Sequence, residues 1–185
     1  KRQPQHQTQE NGPQNLTMLQ KTTRTTTPQK VARIAIVASA YNAEYVDSMI
    51  EAALETLAGS GVINVELIRV PGAFEIPVIA AKLARRKRLR PDAVLCLGVI
   101  LRGKTTHAEH IGNSVTQSLA QIAIETAVPM VHEVLLLENK AQAKSRCISP
   151  KTNRGFEAAH TALIMAGLIA EIPFTPFFKH FSVLY

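Results

Sequence analysis

His107 closes a short run, Gly103-Lys-Thr-Thr-His107, in which a bare backbone, an ammonium and two hydroxyls precede an imidazole. Such residues suit an anion, because main-chain N–H groups, a cation and hydroxyl donors can converge on its oxygens. An imidazole titrates near neutral pH, so a histidine two residues beyond that seat can move a proton beside a bound phosphate. The same run completes Gly98-Val-Ile-Leu-Arg-Gly103-Lys104-Thr105, a literal match to the phosphate-loop pattern G-x-x-x-x-G-K-[ST]. That pattern wraps a phosphate only if its middle residues bend, whereas Val99-Ile100-Leu101 prolong an apolar run whose β-branched members favour extension. Leu135-Leu-Leu-Glu138 is a weak companion motif, with Glu where an Asp usually holds magnesium. A nucleotide-binding phosphate-loop protein is therefore the second reading. The first is an anion seat at the start of a helix. Taken alone, Glu75 and Arg146 read as charges at helix ends.

The elements that must position these residues alternate. Val31-Ala-Arg-Ile-Ala-Ile-Val-Ala38 predicts a strand covered on both faces. Val46, Met49, Ile50, Ala53, Leu54 and Leu57 recur at helical spacing, closed by Gly59 and Gly61. Val65 to Val70 predicts a second strand and Ile76 to Arg88 a helix whose basic end, Arg85-Arg-Lys-Arg88, suits the negative helix terminus. Strand three is expected over Ala93 to Leu101, a helix over His107 to Thr126, strand four over Met130 to Leu137, and helices over Asn139 to Ser145 and Arg154 to Ala170. The pattern β-α-β-α-β-α-β-α-α argues for an α/β three-layer sandwich, a four-stranded parallel sheet flanked by helices, flavodoxin-like in kind. Ligands of such sheets bind beyond the carboxyl ends of the strands, which selects the loops after Ser39, Val70, Leu101 and Leu137.

Composition narrows the class. The chain has 185 residues, 46% hydrophobic and 5% aromatic with no Trp, which fits a globular domain built on small aliphatic side chains. No apolar run reaches a membrane-spanning length, so no membrane partner is expected. Cys96 and Cys147 make neither a disulfide framework nor a zinc site and fit a reducing compartment, with the cytoplasm as the expected location. Of the net +7, residues 1–30 carry +4, along with seven Gln and seven Thr but few large apolar residues. This segment is expected to be a disordered basic tail preceding a domain over 31–172, with an aromatic C-terminal segment over 173–185. The tail lacks aromatics among its charges, so no nucleic-acid partner is expected. Its basic, Thr-rich, acid-poor composition also suits the remnant of an organellar targeting segment, although it has no apolar h-region and no amphipathic period.

Five segments together resemble the lumazine synthase family: Ile36-Val-Ala-Ser-Ala-Tyr-Asn42, Val70-Pro-Gly-Ala-Phe-Glu-Ile-Pro77, Leu97-Gly-Val-Ile-Leu-Arg-Gly-Lys-Thr-Thr-His107, Glu125-Thr-Ala-Val-Pro129 and Asn153-Arg-Gly155. The resemblance implies a riboflavin-pathway transferase. It would join 5-amino-6-ribitylamino-pyrimidinedione to 3,4-dihydroxy-2-butanone 4-phosphate, giving 6,7-dimethyl-8-ribityllumazine without metal or organic cofactor. It implies His107 as the proton-transfer residue, and Gly103, Lys104, Thr105, Thr106 and Arg146 as the phosphate site. It implies further that Tyr41, Asn42, Ala73, Phe74, Glu75, Val99, Ile100, Leu101, His132 and Arg154 bind substrate, with Tyr41 stacking on the pyrimidine and Glu75 accepting from ribityl hydroxyls. A catalytically silent ligand-binding shell protein of the same family is the third reading.

Three departures accompany the resemblance. Arg154 stands where many members have Lys, His132 where a Phe usually lines the neighbouring subunit's share of the site, and Ser149-Pro-Lys-Thr152 where a Gly-containing stretch is common. Family members assemble as pentamers, some as twelve pentamers in an icosahedral shell, so the resemblance implies a homo-oligomer. The apolar positions of the helix after Arg154 span more than one buried stripe, which predicts a second covered face. The aromatic C-terminal segment is expected to dock on a neighbouring subunit.

Overall fold

The computed structural model describes residues 32–172. The expected tail and the aromatic C-terminal segment, with its docking role, lie outside the described residues. Four strands, β1 (Ile34–Ser39), β2 (Val65–Val70), β3 (Ala93–Leu101) and β4 (Met130–Leu137), form one parallel sheet in the order β2-β1-β3-β4. Five α-helices alternate with them and follow them: α1 (Ala43–Gly59), α2 (Ile76–Ala84), α3 (His107–Thr126), α4 (Lys140–Ala143) and α5 (Arg154–Glu171). A 3-10 turn, Ala73–Glu75, leads into α2, and a π-helical turn, Lys144–Ile148, prolongs α4.

Strand alternation divides the interior in two. Ile36, Leu95 and Leu97 face α1 and α5, where they meet Met49, Leu57 and Ala162. Val37, Val94 and Cys96 face α2 and α3, where they meet Ile76, Leu83 and Leu119. Both faces of β1 and β3 are therefore buried, which is why those strands read as nearly unbroken apolar runs. The order places β1 beside β3 with their following helices on opposite faces, so a crevice opens between their carboxyl ends. Asn42 bridges its floor: its Nδ2 donates to Val99 O at 2.7 Å, from a backbone in the left-handed region (φ 57°) that asparagine tolerates.

Three expected boundaries move. The first strand begins at Ile34 rather than Val31. The second helix ends at Ala84 rather than Arg88, because the side chains expected to sit at its terminus pair elsewhere. Arg85 bonds to Glu125 and Arg86 bonds bidentately to Glu66, while Leu89 turns the chain at φ 54° before Pro91. The helix expected over Asn139 to Ser145 runs as α4 and then widens into the π turn, carrying it on to Ile148. No helix among the described residues is long and apolar enough to cross a membrane.

Along α5 the buried stripe is made of small residues, Gly155, Ala158, Ala159, Ala162 and Ala166, pressed on α1 and the sheet. Phe156, Leu168 and Ile169 of the same helix remain at the surface of the single chain. The second apolar face is thus present, and nothing among the described residues covers it.

Candidate active site

A cavity of about 960 Å³ lies in the β1/β3 crevice. Tyr41 and Asn42 enter it from the loop after β1, Gly72 to Glu75 from the loop after β2, and Val99, Ile100 and Leu101 from the end of β3. Gly103, Thr105 and His107 close it at the start of α3. Eleven of the residues expected at the site therefore meet in one space: Tyr41, Asn42, Ala73, Phe74, Glu75, Val99, Ile100, Leu101, Gly103, Thr105 and His107. Lys104 and Thr106, also expected there, flank the cavity in sequence without lining it.

Each wall has a local cause. The 3-10 turn after Pro71 is held by Glu75, whose Oε2 accepts from Gly72 N at 2.9 Å, so one oxygen is engaged and the other is left for a ligand. The rings of Tyr41 and Phe74 are exposed, at 73% and 59%, and supply flat apolar faces to the cavity. At the head of α3, Thr106 offers no side-chain cap, and His107 N has only a 3.5 Å contact with Thr105 Oγ1. Those first amides, with the positive end of a twenty-residue helix behind them, remain suited to an anion. The loop is held by Arg102, a residue that sequence spacing did not single out. Its Nε donates to Glu138 at 2.9 Å and its Nη1 to Glu109 on the first turn of α3. That contact holds the Glu109 carboxyl below the usual carboxylate range.

The phosphate-loop pattern is not used as a wrap. Val99, Ile100 and Leu101 stay in β3, paired in register with Leu135, Leu136 and Leu137. Gly98 serves packing instead, since a Cβ there would come within 3.2 Å of Val134 Cγ1 and 3.3 Å of Ile76 Cδ1 and Ser39 Oγ. Around Gly103 there is open space, a Cβ built there meeting nothing within 4 Å.

His110, Ile111 and Ser114 also line the cavity. They were missed because a search for motifs stops at His107. The i+3, i+4, i+7 spacing from His107 along a helix was the signal that places them on one face.

His132, Arg146 and Arg154 are not part of this cavity. His132 lies on β4 with its ring bonded to residues of its own chain. Thr116 Oγ1 donates to Gly112 O at 2.8 Å and stands 2.8 Å from His132 Nε2, while Val134 N donates to His132 Nδ1 at 3.3 Å. These contacts assign the neutral tautomer with the proton on Nε2. Burial lowers the pKa of this imidazole below its ordinary value of 6.5, and protonation would forfeit the Val134 bond. With a folded pKa below the unfolded one, the contribution to stability is full above pH 6.5 and is lost as pH falls below it. The melting temperature is therefore expected to drop from pH 7 to pH 5 more steeply in the natural chain than in His132→Gln. A difference between the two that stays constant with pH would sink the assignment.

Arg154, the first residue of α5, is tied to Glu133 and Glu157. Arg146 sits on the π turn, exposed, and among the described residues no hydrogen bond or ion pair engages its guanidinium.

A family model described as 6,7-dimethyl-8-ribityllumazine synthase matches residues 31–170. The chain is similar to the 6,7-dimethyl-8-ribityllumazine synthase of Stenotrophomonas maltophilia strain R551-3, 38% identical over 149 residues that cover 80% of this chain and 94% of that one. It is 43% identical over 133 residues to the enzyme of the same name from Kineococcus radiotolerans, covering 71% and 81% of the two chains. Against the one from Pyrococcus furiosus it is 38% identical over 140 residues, covering 76% and 87%.

Proposed function

The chain belongs to the 6,7-dimethyl-8-ribityllumazine synthase family, and we propose from that premise that its cavity performs the family's condensation. The 5-amino group of the ribitylamino-pyrimidinedione adds to the ketone of 3,4-dihydroxy-2-butanone 4-phosphate, and one water leaves as the imine forms. Loss of the proton beside the imine carbon then expels phosphate from the next carbon. The ribityl-bearing nitrogen closes the ring on the carbonyl so formed, and a second water leaves. Such a sequence asks the protein for register between two substrates, a seat for the departing anion and a proton carrier near neutral pH.

One observation carries the reading: Gly103, Thr105 and His107 line the same cavity as Tyr41, Phe74 and Glu75. The aromatic faces take the pyrimidine, Glu75 accepts from ribityl hydroxyls, the α3 head receives the phosphate, and His107 moves the protons. Mixing the two substrates with the protein should produce lumazine absorbance together with inorganic phosphate, whereas ATP should not be consumed. Failure to form lumazine would overturn the reading.

Arg146, His132 and Arg154 belong, in this reading, to the share of the site that a second copy supplies. Their separation from the cavity within one chain supports it, as does the apolar surface at Phe156, Leu168 and Ile169. The assembly is then a homo-oligomer, a pentamer or twelve of them, and sedimentation velocity separates the two. Across that boundary the unpaired Arg146 clamps the phosphate. Arg146→Ala is expected to raise KM for the phosphorylated substrate by roughly ten- to a hundredfold, the worth of one charge-assisted contact, with a smaller change in kcat. An unchanged KM would remove Arg146 from the phosphate site.

A further inference from the structure

The loop at the head of α3 has little packing to hold it. Residues 102–107 are all exposed, and a Cβ at Gly103 would meet nothing within 4 Å. Among the described residues, the only bond made by a side chain from Lys104 to Thr106 is the 3.5 Å contact of Thr105 Oγ1 with His107 N. A stretch without buried side chains keeps the conformational freedom that packing removes elsewhere. Yet Gly103, Thr105 and His107 line one cavity and, in the reading above, must meet an anion and a proton in fixed register.

Arg102 joins the two ends of that loop. Its backbone N donates to Leu137 O at 2.8 Å, which fixes the residue to the end of β4. Its Nη1 reaches across to Glu109, in the first turn of α3, while its Nε donates to Glu138 at 2.9 Å. Glu138 is anchored in turn, because its N–H donates to Gln142 Oε1 at 2.9 Å and Asn139 Oδ1 accepts from Gln142 N at 2.9 Å. The guanidinium is thus held from the β4 side and closes on α3. The ring so formed encloses residues 103–108, the anion seat and His107 together. On its inner side Thr106 O accepts from Glu109 N at 3.0 Å and from His110 N at 3.2 Å. Both ion pairs of Arg102 are exposed, so they contribute little to global stability and act on the loop they close.

We propose that Arg102 is a positioning residue for the reaction: with Glu109 it clasps the ends of the Gly103–Ala108 loop and holds the anion seat and His107 in register, while Glu138 fixes the guanidinium. Without the clasp the loop is ordered only when the phosphorylated substrate arrives, and binding of that substrate weakens by the cost of ordering it. The pyrimidine meets Tyr41, Phe74 and Glu75, which come from the loops after β1 and β2. The proposal rests on the reading that places phosphate and proton transfer at the head of α3, and the experiment separates the two.

Glu109→Ala decides by sign. Removing a carboxylate from the first turn of α3 leaves the helix dipole and Arg102 unopposed there, so a role that is only electrostatic would lower KM for the phosphorylated substrate. Loss of the clasp should instead raise that KM about tenfold and lower kcat by about three- to tenfold, with KM for the pyrimidine within about twofold. Arg102→Gln should act in the same direction, and the double variant should stay within about twofold of Arg102→Gln alone, because one clasp has been opened twice. Melting temperatures should stay within about 3 °C of the natural chain. A lowered or unchanged KM for the phosphorylated substrate in Glu109→Ala overturns the proposal. Amide hydrogen exchange supplies a readout that needs no turnover. The Glu109 and His110 amides, which bond to Thr106 O, should exchange about tenfold faster in both variants while those of β3 and β4 keep their rates. If the natural chain forms no lumazine, the reading of the cavity has failed and exchange alone decides whether Arg102 clasps the loop. Faster exchange confined to the head of α3 upholds the clasp, and unchanged exchange refutes it.

Discussion

Replacing His107 with Ala is expected to lower kcat by about 10²- to 10⁴-fold, the usual worth of a positioned proton carrier, while inorganic phosphate still binds. The split follows from where each group sits. On the proposed reading phosphate is met by main-chain amides and Thr105 at the head of α3 and by Arg146, none of which involves the imidazole. The proposed proton carrier, His107, is exposed and lines the cavity at the first position of α3. Alanine is the best helix former and removes no buried contact there, so the melting temperature should hold. His110 lines the same cavity one turn on, which makes the outcome sharp. If that second imidazole were the carrier, His107→Ala would retain kcat within a few fold, and the assignment to His107 would be lost. Following lumazine absorbance and phosphate release together in a single turnover shows which step has slowed.

The parts of this site that the sequence reveals are those whose causes are local. The β2, β3, α3 and β4 limits follow from apolar runs and from punctuation by Pro71, Gly103 and Pro129, and the structure keeps them. The cavity wall from Tyr41 to His107 was legible because the loops beyond parallel strands must converge, so residues sixty-six apart in sequence become neighbours without any knowledge of their contacts. What stayed hidden depends on partners distant in sequence. Arg85 and Arg86 look like a helix terminus until Glu125 and Glu66 are found opposite them. Glu133 reads as one more charge in β4, and only α5 folding over that face turns it into a buried partner for Arg154. His132, whose position the resemblance assigns to an aromatic, is fixed as neutral by Thr116 and Val134, a fact that no spacing rule contains. The π turn is likewise a product of tertiary packing and cannot be read from the run Lys144 to Ile148.

The largest stability effect is expected at Gly155. A Cβ built there would stand 1.9 Å from Met49 O, 2.7 Å from Met49 C and 2.8 Å from Met49 Cα. These are backbone atoms in the middle of α1, under a side chain that is fully buried, so no rotamer change can make room. Nor can α5 slide. Asn153 pins its start by accepting from Gly155 N at 2.8 Å and donating to Cys147 O at 2.5 Å and Ser48 O at 3.2 Å, while Arg154 between them holds Glu133. Relief by movement would break these bonds, and leaving the helix in place keeps the clash. Gly155→Ala is therefore expected to cost about 3 kcal/mol or more, which for a domain of this size lowers the melting temperature by roughly 6 to 12 °C. Gly59→Ala supplies the control of equal chemistry. It lies at the last position of α1 with nothing within 4 Å of the added Cβ, and alanine there should be neutral or mildly stabilising through the unfolded chain. Equal shifts in the two variants would show that the α1–α5 approach is not as close as described. Opposite shifts would explain in physical terms why Asn153 and Gly155 occur together. One caps α5 and ties it to α1, and the other removes the only atoms that would keep the two helices apart.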